Sequence, residues 1–187
     1  MGYYSAEHGT VTMVQEAGVS LGPIEEADLS QLKAWINDRE TVIQSTSYQP
    51  VSGAQHEGWY SSLAGRQDMV AFAIRAGESS DLVGTCKLSG IQGIHRSAEL
   101  AIRIGDVARR GEGIGTAAVR LLLHHAFADL NLNRVFLHVF SGNAAALRTY
   151  EKAGFVSEGL LREAVFIDGA YLDVQVMSVL RSEWKCL

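Results

Sequence analysis

Between residues 113 and 130 the chain encodes a helix with almost no polar side. Ile114, Ala117, Ala118, Val119, Leu121, Leu122, Leu123, Ala126 and Phe127 leave Thr116, Arg120 and His124 as a polar stripe, spaced by four. A helix apolar over most of its circumference must be covered on several sides. This predicts a place against a sheet in the middle of the fold rather than on its rim.

The flanking segments supply that sheet. Apolar runs bounded by turn residues predict strands over 19–24, 69–75, 82–92, 98–104 and 133–140. A long hairpin is predicted over 155–180, turning at Asp168-Gly169, a strong two-residue turn signal. Asp28 is expected to cap a helix bearing Leu29, Leu32, Trp35 and Ile36 on one side, and a polar loop, 37–50, follows it. Ser52 opens a second helix carrying Trp59, Tyr60 and Leu63, and a short helix over 144–153 stops at Gly154, a good residue past a helix end. Hairpins mixed with β-α-β crossovers define an α/β chain: a mixed sheet of about six or seven strands with about four helices.

A length of 187 residues suits one domain, read as 19–187, with residues 1–18 as a tail or an added edge segment. No basic start leads into an apolar stretch, so a signal peptide is not expected, and no window reaches the roughly 18 apolar residues of a membrane span. Cys86 and Cys186 lie far apart with no metal-type spacing, so no metal is expected. Such sparse cysteine use fits a reducing cytoplasm, and Cys86 reads as a small buried thiol in a strand. A net charge of −5 argues against nucleic acid as a partner and leans toward a cationic substrate.

The chemistry concentrates where strand 98–104 turns into the apolar helix. In Arg109-Arg110-Gly111-Glu112-Gly113-Ile114-Gly115-Thr116, three glycines remove Cβ atoms, so the backbone can approach a ligand and adopt positive φ. The first N–H groups of the helix lack intrahelical partners and face outward along the dipole. With the positive charge of Arg110 they make a pocket suited to pyrophosphate. The spacing is neither a dinucleotide fingerprint nor a Walker loop. A plain structural turn remains the alternative from the glycines alone.

Arg110-x-x-Gly113-x-Gly115 resembles the pyrophosphate motif (Q/R)-x-x-G-x-(G/A) of the GNAT superfamily of N-acetyltransferases. Asn143-Ala-Ala-Ala-Leu-Arg-Thr-Tyr150-Glu-Lys-Ala-Gly154-Phe155 resembles that family's second motif. The hairpin Glu158-Gly159-Leu-Leu-Arg162 … Asp168-Gly169-Ala-Tyr171-Leu-Asp173, and the opening Leu21-Gly-Pro-Ile-Glu-Glu-Ala-Asp28-Leu, are similar to the branch that acetylates ribosomal-protein N-termini and spermidine. The resemblance implies a mostly antiparallel sheet whose central parallel pair splays at an acetyl-CoA site, and an acetyl-CoA-dependent N-acetyltransferase.

By that resemblance, Ile102, Arg103 and Ile104 pair their backbone with pantetheine, and one N–H polarises the thioester carbonyl. Arg109, Arg110, Gly111, Glu112, Gly113, Ile114, Gly115 and Thr116 hold the pyrophosphate. Asn143 binds the pantetheine arm, and Tyr150 protonates the departing thiolate; seven residues apart, they share a helix face. A phenol suits that task because it stays protonated at neutral pH. Glu99 is the candidate base, directly or through water; the alternatives are loss of the proton to water alone and an ordinary strand residue paired to Arg103. Trp35, Asn37, Arg39, Trp59, His138 and Tyr171 are candidates for the acceptor pocket, beside Asp38, Glu40 and Glu163. Adjacent His124 and His125 point in different directions, so one is expected on the polar stripe and the other packed.

The implied reaction is acetyl transfer to a primary amine in a ternary complex: a protein N-terminus, a polyamine, an amino sugar or an aminoglycoside. The competing reading is a non-catalytic acyl-CoA-binding module or sensor. A homodimer is also expected from the family, with no nucleic-acid or membrane partner.

Overall fold

The computed structural model describes residues 14–185. Cys186 and the greater part of the expected N-terminal segment lie outside the described residues. Eight strands form one sheet in the order β1-β2-β3-β4-β5-β6-β8-β7. They are β1 (Val14–Glu16), β2 (Val19–Gly22), β3 (Met69–Ala76), β4 (Asp81–Gln92), β5 (Ser97–Ile104), β6 (Arg134–Phe140), β7 (Val156–Ile167) and β8 (Ala170–Leu180). The strand beyond the expected seven is β1, an edge strand paired antiparallel to β2.

Every neighbouring pair is antiparallel except β5 and β6. Their parallel pairing runs only from Ser97↔Arg134 to Glu99↔Phe136. Beyond Glu99, β5 stays bound to β4 as far as Ile104, and β6 stays bound to β8 as far as Phe140. The sheet therefore forks, and past Glu99 the edge of β5 facing β6 is unpaired.

The helices are α1 (Leu29–Asn37), α2 (Arg39–Val42), α3 (Gly53–Leu63), α4 (Ile114–His124) and α5 (Ala144–Lys152). As its composition requires, α4 lies in the core: Ala118, Val119, Leu121, Leu122 and Leu123 are completely buried against Val83, Leu88, Ala98, Leu100, Val135 and Leu137 from the central strands. The helix expected to continue to 130 widens into a π-helical turn, His125–Asp129, with Leu130 N–H donating to the His125 carbonyl at 3.0 Å. His124 lies on the stripe beside Trp184, while His125 is buried edge-on to Phe72 and bonded to Asp129 at 2.7 Å. A smaller apolar cluster under α1 and α3, built on Ile24, Leu32 and Ala73, covers the opposite face at β3.

Two local expectations are corrected. Asp28 is not a side-chain cap for α1: its buried carboxylate accepts from the Glu25 N–H at 2.9 Å and pairs with Arg75 at 2.8 Å. An ion pair across elements thus takes the oxygens that a cap would use, and Glu25 caps the preceding 3-10 turn, Glu26–Asp28, reciprocally with Asp28. The polar loop after α1 also holds a helical turn, α2, whose Thr41 and Val42 are buried.

Candidate active site

At the fork, a 3-10 turn, Val107–Arg109, leads from β5 toward α4. Gly111 (φ +88°) and Gly113 (φ +84°) then carry the chain into α4 through left-handed backbone that L side chains rarely adopt. Gly115 has no such need. A Cβ there would stand 3.6 Å from Thr149 and 4.0 Å from Ile104, in the space between α4, α5 and β5. Two of the three glycines shape the chain; the third leaves room.

That room is a groove of about 490 Å³ between β5, the glycine turn, α2 and α5. Ile102, Arg103, Ile104, Arg109, Arg110, Gly111, Gly113, Gly115, Thr116, Asn143 and Tyr150 all line it, so residues spread over about fifty positions of sequence meet at one place. Two members of the predicted set do not line it. Ile114 is in the core, and Glu112 bonds Arg109 at 2.8 Å. Other lining residues escaped the sequence reading: Thr41, Gln44 and Ser45 come from α2 and the turn after it, and Arg148 and Lys152 from α5. The two cations, four positions apart on one helix face, were a legible signal. The α2 residues were not, because only tertiary folding carries them there.

The groove is electropositive. Burial first, then the neighbouring Arg110, pulls the Arg103 guanidinium below its ordinary range. Its Nε is buried without a partner, while an Nη donates to Ser45 Oγ at 3.2 Å. Arg110 reaches back to the Ile104 carbonyl at 3.0 Å and ties the turn to the end of β5. Crowded guanidinium groups beside an unpaired strand edge and a helix N-terminus favour a polyanion that also carries amide groups.

Asn143 caps α5, its Oδ1 accepting from the Ala146 N–H at 3.1 Å and its amide donating to the Gln44 carbonyl at 3.2 Å. Tyr150 is buried beside Phe155, and burial pushes its phenol up to about 12. Cys86 is buried in the core, and burial pushes its thiol up.

Glu99 does not pair with Arg103. Its carboxylate lies 2.8 Å from His138 Nδ1, across the fork. The acceptor-pocket candidates are more scattered. Trp35 packs on Gly105, where an added Cβ would stand 2.1 Å from the indole, and lines a separate cavity of about 670 Å³ with Asp28, Asp38 and Asp106. Asn37 holds the following loop through Val51, accepting from its N–H at 2.8 Å. Arg39 pairs with Asp168 at 2.6 Å, joining α2 to the hairpin turn. Trp59 lies on α3 against His56, and Tyr171 is exposed on the hairpin against Phe166. Glu163 donates its N–H to Asp173 at 2.8 Å.

A forked mixed sheet with a glycine turn opening a buried helix at the fork defines an acetyltransferase fold. The chain belongs to the GNAT family: residues 19–156 match its Acetyltransferase (GNAT) domain. It is an N-acetyltransferase by family. A spermidine N(1)-acetyltransferase from Vibrio cholerae is 40% identical over 104 residues, covering 56% of this chain and 60% of that enzyme. A putative ribosomal N-acetyltransferase, YdaF of Bacillus subtilis, is 28% identical over 182 residues, covering 96% of this chain and 94% of that one. Among solved structures, a spermidine N-acetyltransferase from Vibrio cholerae in complex with CoA and spermine superposes with a TM-score of 0.83 at 31% identity, covering 90% of this chain and 98% of that chain. Among the described residues no helix is long and apolar enough to cross a membrane, and no cluster could hold a metal ion.

Proposed function

We propose that the protein transfers the acetyl group of acetyl-CoA to a primary amine by direct attack, with donor and amine bound together. One observation carries this reading: the fork between β5 and β6 opens onto the glycine turn, so a single groove joins an unpaired strand edge to an electropositive helix N-terminus. Such a groove fits a ligand with amides along one arm and phosphates at its end.

The thioester supplies an activated acetyl carbon and a thiolate that can leave. The chain's residues do the rest. The N–H groups of Gly111, Gly113, Gly115 and Thr116, with Arg109 and Arg110, hold the pyrophosphate. The free edge of Ile102, Arg103 and Ile104 pairs with the pantetheine arm, and one N–H polarises the carbonyl. Asn143 meets the same arm. Tyr150 keeps its proton at neutral pH because burial disfavours the phenolate, so it can deliver that proton to the departing sulfur. The buried, protonated Cys86 is unsuited to a covalent relay, which favours direct attack.

A polyamine is the first acceptor to test. The charge of −5 favours cations, and a spermidine acetyltransferase of Vibrio cholerae is similar both in sequence and in structure. A protein N-terminus is the second, because the ribosomal relative aligns over nearly the whole chain. The test begins with calorimetric titration of acetyl-CoA into the wild type and into an Arg110→Ala, Gly113→Val variant whose fold is checked by circular dichroism. Saturable one-to-one binding that the variant loses is expected. Thiol release is then followed with spermidine, a peptide bearing a free N-terminus and an amino sugar. A folded wild type that fails to bind acetyl-CoA overturns the reading.

A further inference from the structure

The fork carries a second chemical feature on the sheet face away from α4. Ala98 and Leu100 turn toward α4 and are buried, so Glu99 between them faces the other way. On β6 the buried residues are Val135, Leu137 and Val139, which places His138 on that same open face. Backbone pairing across the fork ends at Glu99↔Phe136. His138 lies two residues beyond that point, level with the unpaired stretch of β5 at Ala101, and its ring reaches back to Glu99.

The 2.8 Å contact between His138 Nδ1 and Glu99 Oε1 decides the tautomer. A carboxylate only accepts, so Nδ1 carries the hydrogen and donates it. In the neutral ring the lone pair then sits on Nε2. Nε2 has no partner among the described residues, and both side chains are about two-fifths exposed, at 41% and 42%. An imidazole is a better proton acceptor near neutrality than a solvated carboxylate, whose ordinary value lies near 4. Glu99, with one oxygen already committed to the ring, is better placed to orient the base than to be it.

Resting on the acetyl-transfer reading above, we infer that His138 is the proton acceptor for the attacking amine and that Glu99 is its positioning residue. The amine nitrogen forms the new N–C bond and loses a proton to His138 Nε2. The C–S bond breaks, and the sulfur takes the proton of Tyr150. The two groups serve opposite ends of the reaction, His138 on the open side of the fork and Tyr150 in the groove. Other charged groups on the His138 face are Lys87 on β4, Arg103 on β5 and Arg134 on β6; Arg134 is neutralised by Glu158 of β7. Across β8 His138 meets Val176, which is uncharged.

The test uses the full chain with the best acceptor of the three-amine panel, measuring the single-turnover rate at saturating amine against pH. The wild type should lose rate as pH falls through the imidazole range. His138→Gln should cut the plateau on the order of 10²-fold and remove that limb, while acetyl-CoA binding persists. Glu99→Gln should keep the limb and lower the plateau by a smaller factor than His138→Gln, because the ring then loses the acceptor that orients it; Glu99→Asp should restore part of the rate. Imidazole ¹⁵N signals give a readout free of turnover: His138 protonated at Nδ1 when neutral, with that preference weakened in Glu99→Gln. A limb that His138→Gln leaves in place, or a ring protonated at Nε2, overturns the inference while acetyl transfer stands. A wild type that binds acetyl-CoA but acetylates no amine overturns both.

Discussion

The two sides of the fork are built differently. On the donor side, α4 is sealed in the core, Gly84 meets the backbone of β5, and the glycine turn takes backbone angles that few residues tolerate. On the proposed acceptor side, the start of α2 and the loop after it meet the β7–β8 hairpin through an exposed Arg39–Asp168 pair and a long contact from Ser47 Oγ to the Phe166 carbonyl. Val156, Leu160, Leu161, Phe166 and Tyr171 are exposed along that hairpin. The donor side therefore rests on close packing, which resists change. The acceptor-side contacts are surface contacts, each of small net value. A common donor with varied acceptors is what such a division permits.

Substitutions can break or sharpen this contrast. The largest effect is expected at Gly84, where an added Cβ would stand 2.3 Å from the Arg103 carbonyl oxygen. Gly84→Ala must part β4 from β5, at about 3 kcal/mol of stability by denaturant unfolding; a neutral result would mean that the donor side is looser than its packing suggests. Next is Tyr150→Phe, expected to slow turnover on the order of 10²-fold with acetyl-CoA affinity unchanged. Because burial pushes Tyr150 up to about 12, its proton is retained as pH rises through 10, so it should contribute no alkaline loss of rate there. An alkaline limb near 9 that Tyr150→Phe abolishes would contradict this.

Gly115→Ala should weaken acetyl-CoA binding by roughly 10-fold and leave the fold intact, since its methyl meets only ordinary contacts in the protein but projects into the groove. Calorimetry beside thermal unfolding separates the two. The smallest effect is expected on the acceptor side. Arg39→Ala breaks an ion pair whose partners are more than half exposed, so the thermal midpoint should not move measurably. If the loop and hairpin line the acceptor path, KM for the amine should rise while KM for acetyl-CoA stays fixed. A large fall in stability would instead make this contact structural and erase the contrast.

Legibility in the sequence followed the same division. The apolar helix, the glycine turn and the Asn143–Tyr150 helix were readable because their constraints are local: periodicity, positive φ, and a fixed number of residues per turn. Trp35, Asn37, Trp59 and Tyr171 were readable as aromatic or polar residues in the expected segments, and no more. Their contacts run to four separate places, Gly105, Val51, His56 and Phe166. Asp28 shows the same limit at a helix start. Its sequence neighbourhood advertises a cap, and a distant Arg75 claims its carboxylate instead. The pair of cations four positions apart on α5, Arg148 and Lys152, is by contrast set by periodicity alone.

By itself, the sequence determined a helix that must be buried, the strands able to bury it, and a turn that presents backbone donors to an anion. Those follow from side-chain size, spacing and the steric rules of the backbone, which act over a few residues. Only the tertiary structure decided that β5 and β6 part after Glu99, that Thr41, Gln44 and Ser45 close the groove, and that Glu99 meets His138 rather than Arg103. Those depend on which strand edges are left unpaired when the sheet twists and packs, and that geometry is set by all the elements together.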